Sequence, residues 1–250
     1  MMIHDLLVGV HSLLFPASCP GCGIPVEDIR TMPLCAACFN RIPRVLPPWC
    51  RCCGFSLAHS GAGVDLCGRC RTKRFSFDSV ISACHYETPV KELITALKYQ
   101  GQLSVAPFLG NLLSAAVMER LGTDPADGIV PVPLHPIRMR ERTFNQALAL
   151  AQELSKRTGL PCWNKLLIRE RATPPQADLS KKERLANVRA AFSFGGGSPL
   201  RAMRILLVDD VFTTGATANA CAKLLKQAGA DQVTIVTVAR QELHTKKAAP

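Results

Sequence analysis

The chain is short of acids. Among its 250 residues, 30 are Lys or Arg and only 19 are Asp or Glu, for a formal net charge of +11 and a pI near 9.3. That imbalance favours anionic ligands, either nucleic acid or phosphorylated small molecules. Aromatic residues are scarce at 6%, while hydrophobic residues as a whole reach 48%. The core must therefore be mainly aliphatic, and the length allows one or two domains. No apolar run is long enough to span a bilayer, so membrane insertion is not expected. A secretory leader is not expected either. The apolar stretch from Leu6 to Phe15 is interrupted by His11 and Ser12, and Asp5 stands where a Lys/Arg region would be needed. Leu6, Val10, Leu13 and Leu14 share a helical face, which predicts a short docking helix ending at Pro16. These absences predict a cytoplasmic protein, in which structural disulfides would be out of place.

Cysteine, by contrast, is abundant and concentrated. Ten of the twelve cysteines lie between Cys19 and Cys84. Eight form four C-x-x-C pairs: Cys19/Cys22, Cys35/Cys38, Cys50/Cys53 and Cys67/Cys70, with gaps of 12, 11 and 13 residues between successive pairs. A C-x-x-C turn places two thiolates on one tetrahedral metal, and two such turns close a Zn(Cys)₄ site. Gly21, Gly23 and Gly54 lie in or just after these turns, where N–H groups can face sulfur. The spacing predicts two structural zinc ions. An iron–sulfur cluster and redox dithiols are the alternatives, and spacing leaves both sequential and cross-brace pairing open. Two Zn(Cys)₄ sites at −2 each would lower the net charge from +11 to +7. Cys52 falls outside the pattern, and Cys84, Cys162 and Cys221 are isolated. Arg41, Arg44, Arg51, Arg69, Arg71, Lys73 and Arg74 surround the pairs, either as a phosphate-facing surface or as ordinary solvated charge.

The most informative segment runs from Ile205 to Thr217. Four apolar residues, Ile205 to Val208, read as a buried parallel strand that ends at Asp209 and Asp210. Thr213, Thr214, Gly215, Ala216 and Thr217 follow, and then a helical pattern with Ala220, Leu224 and Leu225 on one face. A strand, a loop of small residues and a helix N-terminus form an anion cradle, with free N–H groups and the helix dipole directed at a phosphate. The two acids beside it suit vicinal sugar hydroxyls and a metal ion. An ordinary helix cap needs one such residue, not this set. A phospho-receiver domain is excluded because its phosphoacceptor Asp lies well downstream, whereas Asp231 is the only Asp after Asp210.

Between these blocks, Phe75 to Tyr86 reads as one or two strands, Pro89 to Gln100 as a helix stopped by Gly101, and Val105 to Leu121 as a second helix. Lys98 reads as a helix-end cation or a phosphate ligand, the former slightly favoured. Gly128 to Pro136 reads as a strand and a stiff turn. Arg138, Arg140 and Arg142 follow at a predicted helix start, where cations are unfavourable and suggest an anionic partner. A helix should then run to about Arg157. Leu166 to Phe192 is too long for a plain connection and carries Arg169, Arg171 and Arg184, which predicts a functional or mobile loop.

The segment from Ile205 to Thr217 resembles the phosphoribosyl-pyrophosphate (PRPP) motif of type I phosphoribosyltransferases. The cysteine pairs resemble the ComF family, with its ComFC and GntX-type members. So do Leu97-Lys98-Tyr99-x-Gly101, Val130 to Pro136, and the series Arg138, Arg140, Arg142, Phe144, Asn145 and Gln146. The resemblance covers about Ser18 to Arg240. It implies an α/β fold with a mostly parallel five-stranded sheet and a small zinc-ribbon module. The expected division is 1–74 for the N-terminal helix and ribbons, 75–240 for the phosphoribosyltransferase-like domain and 241–250 for a polar tail. It also implies that Asp209 and Asp210 hold the ribose hydroxyls in catalysis and that Thr213 to Thr217 hold the 5′-phosphate. Leu134, His135, Arg138, Arg169, Arg171 and Arg184 would serve pyrophosphate and the mobile loop, with Mg²⁺ accompanying PRPP. Thr143 stands where the family usually has Gly, and a Cβ there restricts the loop. Three function classes follow: a phosphoribosyltransferase of unknown acceptor, a PRPP or nucleotide sensor, and a nucleic-acid-handling module in DNA uptake whose PRPP site regulates or processes DNA, with single-stranded DNA and other competence proteins as the partners to expect.

Overall fold

The computed structural model describes residues 18–26, 32–57, 65–122, 126–170, 191–197 and 199–241. The predicted N-terminal helix, most of the basic segment with Arg171 and Arg184, and the C-terminal tail lie outside the described residues.

The centre is a parallel sheet in the order β1-β6-β5-β2, built from β1 (Ser79–His85), β2 (Gly128–Pro131), β5 (Arg204–Phe212) and β6 (Gln232–Arg240). Along β5 the side chains alternate. Ile205 and Leu207 enter one core, Leu206 and Val208 the other. Period-two alternation of an all-apolar run is what a sheet covered on both faces requires. One face carries α3 (Val90–Tyr99), α4 (Ala106–Leu121) and α6 (Gln146–Thr158), which supply Leu93, Leu109 and Leu150 to its core. The other carries α7 (Ala216–Gln227), with Cys221 and Leu225 buried against Ile235.

Two expectations are corrected. The described residues form a four-stranded sheet, not a five-stranded one. The fifth position, beside β2, is reduced to a single parallel bridge between Ile129 and Cys162. Pro161 has no N–H with which to lengthen that ladder, and the Trp163 ring closes over Gly128. Strand β5 also does not end at the acids. It continues to Phe212, paired with β6 as far as Arg240.

Two elements refine the connections. A short helix α5 (Pro136–Arg142) precedes α6, so Arg140 and Arg142 sit in a last turn, not a first one. Cations are favourable there, so Arg140 and Arg142 need no anionic partner to offset the helix dipole. Strands β3 (Leu167–Arg169) and β4 (Phe192–Phe194) pair antiparallel at the two ends of the long basic segment.

The cysteine region is tied to this body. Helices α1 (Ala36–Asn40) and α2 (Gly68–Thr72) each begin directly after the first cysteine of a pair. Cys19, Leu34 and Cys38 belong to the same core as α3 and α4. The Val45 N–H donates to the Ala83 carbonyl at 3.1 Å, and the His85 N–H to Pro43 at 2.7 Å.

Candidate functional site

Asp209, Asp210 and the loop Thr213 to Gly215 meet at the carboxyl end of β5, where ligands of open parallel sheets bind. Gly215 has φ +74°, and a Cβ added to it would come within 2.8 Å of the Phe212 ring. Glycine is therefore required by both conformation and space. Ala216 opens α7, and its N–H reaches the Thr214 hydroxyl at 3.4 Å. Thr213, Thr214, Gly215, Ala216 and Thr217 all line one cavity with Asp209. Asp209 accepts the Asp210 N–H at 2.9 Å. Burial, and then the neighbouring Asp210 charge, push the Asp209 carboxyl up to about 7, against the pull of Lys98 and Arg169.

A larger cleft of about 210 Å³ adjoins this cavity, and both are lined by Asp209 and Thr217. It collects Leu134, Arg138 and Arg142 from the stretch after β2 and Arg169 from β3. Of the residues predicted there, His135 takes a different place. It is buried and caps α5, its Nδ1 accepting the Ile137 N–H at 3.2 Å. Arg169 stacks over Phe192, 5.2 Å from the ring centroid, and is half-buried with its pKa lowered by desolvation.

Lys98 is a helix-end cation in the last turn of α3, and it also reaches the site. Its Nζ lies 2.8 Å from Asp210 Oδ2, inside the cleft. Its helix-end position looks generic. The available signal was the Leu97-Lys98-Tyr99-x-Gly101 pattern. Asn145 caps α6 through its side-chain oxygen, and its Nδ2 donates to the Val132 carbonyl at 3.1 Å, fixing the end of β2. Thr143 has φ +64°, the conformation a glycine would take freely.

The eight paired cysteines form two tetrads: Cys19, Cys22, Cys35 and Cys38, then Cys50, Cys53, Cys67 and Cys70, with the sulfurs of each within 4.8 Å of one another. Pairing is therefore sequential. The sulfur pairs Cys22–Cys35 at 3.5 Å and Cys53–Cys67 at 3.6 Å match the edge of a ZnS₄ tetrahedron, about 3.8 Å for Zn–S bonds near 2.3 Å. Against the effect of burial, backbone N–H groups of Cys35, Gly21 and Cys22 pull the Cys19 thiol down to about 7, and those of Cys53, Cys67 and Cys52 do the same for Cys50. Cys38 is pushed up to about 12 and Cys53 to about 11, burial being the largest cause. Four thiolates this close need a cation, and closed tetrathiolate sites fit structural zinc. Cys52 belongs to neither tetrad.

The acid pair and the threonine loop stand at the carboxyl end of the parallel sheet of an α/β protein, here joined to paired cysteine ribbons. Comparison agrees with the second half directly, since residues 10–71 match the double zinc ribbon domain. The chain is 35% identical over 213 residues to competence protein F of Haemophilus influenzae, covering 83% of this chain and 90% of that protein. It is 32% identical over 231 residues to the DNA utilization protein YhgH of Escherichia coli K12, covering 91% and 99%. The chain belongs to this family, the ComF family. Among solved structures, purine phosphoribosyltransferase from Pyrococcus horikoshii aligns over 53% of this chain and 73% of that chain, at 19% identity and a TM-score of 0.36.

Proposed function

We propose that this protein is a cytoplasmic PRPP-binding, phosphoribosyltransferase-like member of the ComF family that serves the use of external DNA. The observation that carries the reading is the meeting of Asp209, Asp210 and the Thr213–Thr217 loop at one rim, beside a cationic cleft. In this reading the loop N–H groups hold the 5′-phosphate. Asp209 and Asp210 accept hydrogen bonds from the ribose 2′- and 3′-hydroxyls. Lys98, Arg138, Arg142 and Arg169 face the pyrophosphate. The Lys98–Asp210 pair keeps two opposite charges satisfied until a ligand separates them.

Departure of pyrophosphate from ribose C1′ would build positive charge on the sugar and negative charge on the leaving group. The cations of the cleft stabilise the second. Mg²⁺ would come with PRPP and neutralise part of its pyrophosphate charge; Asp209 and Asp210 are the carboxylates nearest that position. Arg171 and Arg184, outside the described residues, are assigned to the same anion. The division at residue 74 separates ribbons from PRPP domain by role, since the two share a core.

The link to DNA comes from the relatives, one named for competence and one for DNA utilization. The basic charge supports single-stranded DNA as a partner. Calorimetry with PRPP and Mg²⁺ tests the core reading. Wild type should bind, and Asp209→Asn with Asp210→Asn should abolish binding without loss of fold, since each charged hydrogen bond is worth about 1.5–3 kcal/mol. Equal affinity in the double variant would sink it. PRPP-dependent pyrophosphate release, measured with and without single-stranded DNA, separates turnover from sensing.

A further inference from the structure

The second cysteine ribbon reaches the PRPP loop. The Arg69 guanidinium, inside the Cys67/Cys70 turn, donates to the Thr214 carbonyl, a contact across 145 residues. Arg69 is half-buried and does not line the loop cavity. We propose that Arg69 is a positioning residue that holds the 5′-phosphate loop in its anion-binding form, so that the second ribbon is part of the PRPP site. This rests on the function proposed above.

In a trans peptide the C=O of one residue and the N–H of the next point in opposite directions. Anchoring the Thr214 carbonyl on Arg69 therefore turns the Gly215 N–H away from the ribbon. A phosphate loop needs this division, with carbonyls turned back and N–H groups free. Thr213 and Thr214 are exposed, and inside the loop the 3.4 Å contact from the Ala216 N–H to the Thr214 hydroxyl is long. An outside brace has something to add.

The brace is itself anchored. The Arg240 guanidinium, buried at the end of β6, donates to the Cys53 carbonyl at 2.8 Å. Gly54 lies so close to β1 that a Cβ would come within 2.3 Å of the Val80 carbonyl oxygen. Phe75 packs on the ribbon cysteines and stacks on Phe77 at 4.7 Å, and Phe77 meets Phe212 edge-on at 6.0 Å, directly beneath Gly215. The Ser76 N–H donates to Asn219 on the first turn of α7 at 2.7 Å. The first ribbon has no counterpart, for Ala37 stands in its Cys35/Cys38 turn where Arg69 stands in the second.

The test uses the full-length, zinc-loaded chain. Hydrogen exchange is followed at the Ala216 and Asn219 amides, which donate to the Thr214 hydroxyl and the Gly215 carbonyl of the loop, in wild type, Arg69→Ala, Arg69→Lys and, as a control, Arg41→Ala in the first ribbon. Arg69→Ala should speed loop exchange about tenfold with unchanged zinc content, Arg69→Lys should restore part of the protection, and Arg41→Ala should match wild type. A tenfold change corresponds to one hydrogen bond to a charged group at the low end of its range. Affinity for PRPP and for ribose 5-phosphate should fall by a similar factor in Arg69→Ala, while pyrophosphate affinity stays constant. Unchanged loop exchange in Arg69→Ala overturns the brace. Faster exchange with PRPP affinity unchanged overturns its role in binding. If wild type itself binds no PRPP, the proposed function fails, and the exchange result still decides whether Arg69 holds the loop.

Discussion

Asp209 carries the most unusual chemistry of any described side chain at the rim. Its carboxyl is pushed up to about 7 by burial and by Asp210. The folded state therefore holds a proton that the unfolded chain gives up near pH 4. Stability from this group is present below about pH 4 and is lost as pH rises toward about 7. Asp209→Asn keeps the acceptor for the Asp210 N–H and removes the charge. It should stabilise the ligand-free protein by on the order of 2 kcal/mol at pH 8 and by almost nothing at pH 4. Thermal melts at the two pH values check this, and an equal gain at both would refute the shifted carboxyl. Thr143 offers a second test. A β-branched residue at φ +64° is strained. Thr143→Gly should gain roughly 0.5–1 kcal/mol, the strain relief being offset in part by glycine's entropy and the lost contact of Thr143 Oγ1 with the Arg142 carbonyl. A lower denaturation midpoint in this variant would contradict the argument.

Among the elements, α6 joins fold to site most directly. Its amphipathic pattern was legible, with Leu150, Ala151 and Leu154 buried and Lys156 and Arg157 in the last turn. Its start was less so, because the cap Asn145 also holds the Val132 carbonyl at the end of β2. Asn145→Ala should cost about 1–2 kcal/mol, the usual cap loss with a second hydrogen bond added. Urea denaturation measures it, and no change in midpoint would show that the cap is dispensable. The same change should weaken PRPP binding, since Asn145 lines the cleft. Strand β5 shows the limit of reading one element alone. Ile205 to Val208 announce a buried strand, but polar Asp209 and Asp210 suggest its end. The ladder to β6 carries it on to Phe212 because backbone pairing does not depend on side-chain polarity.

Across the whole molecule, the ribbons and the sheet share one body. Cys19 and Cys38 pack in the core of α3 and α4, and Arg240 fastens the second tetrad to β6. Metal analysis should give two zinc ions per chain. Stripping them with a chelator should lower the melting temperature of the entire chain in one transition, because metal binding energy is folding energy for such sites. A separate ribbon transition, with the sheet melting unchanged, would mean that the two parts fold independently.

What could be read in chain order was chemistry confined to short spans. The C-x-x-C turns, the apolar run before Asp209 and the Thr213–Thr217 loop each bring their partners within a few residues, so spacing alone specifies their local geometry. The pairing of tetrads, the reduction of the fifth strand to one bridge, and the placement of Lys98 against Asp210 were decided in three dimensions. So was the reach of Arg69 to Thr214. Each of these depends on how the parallel strands stack and how the ribbons dock on them. A lysine at a helix end or an arginine in a metal turn has the same local pattern whether it faces water or a site. Only the packing of residues far apart in the chain distinguishes the two.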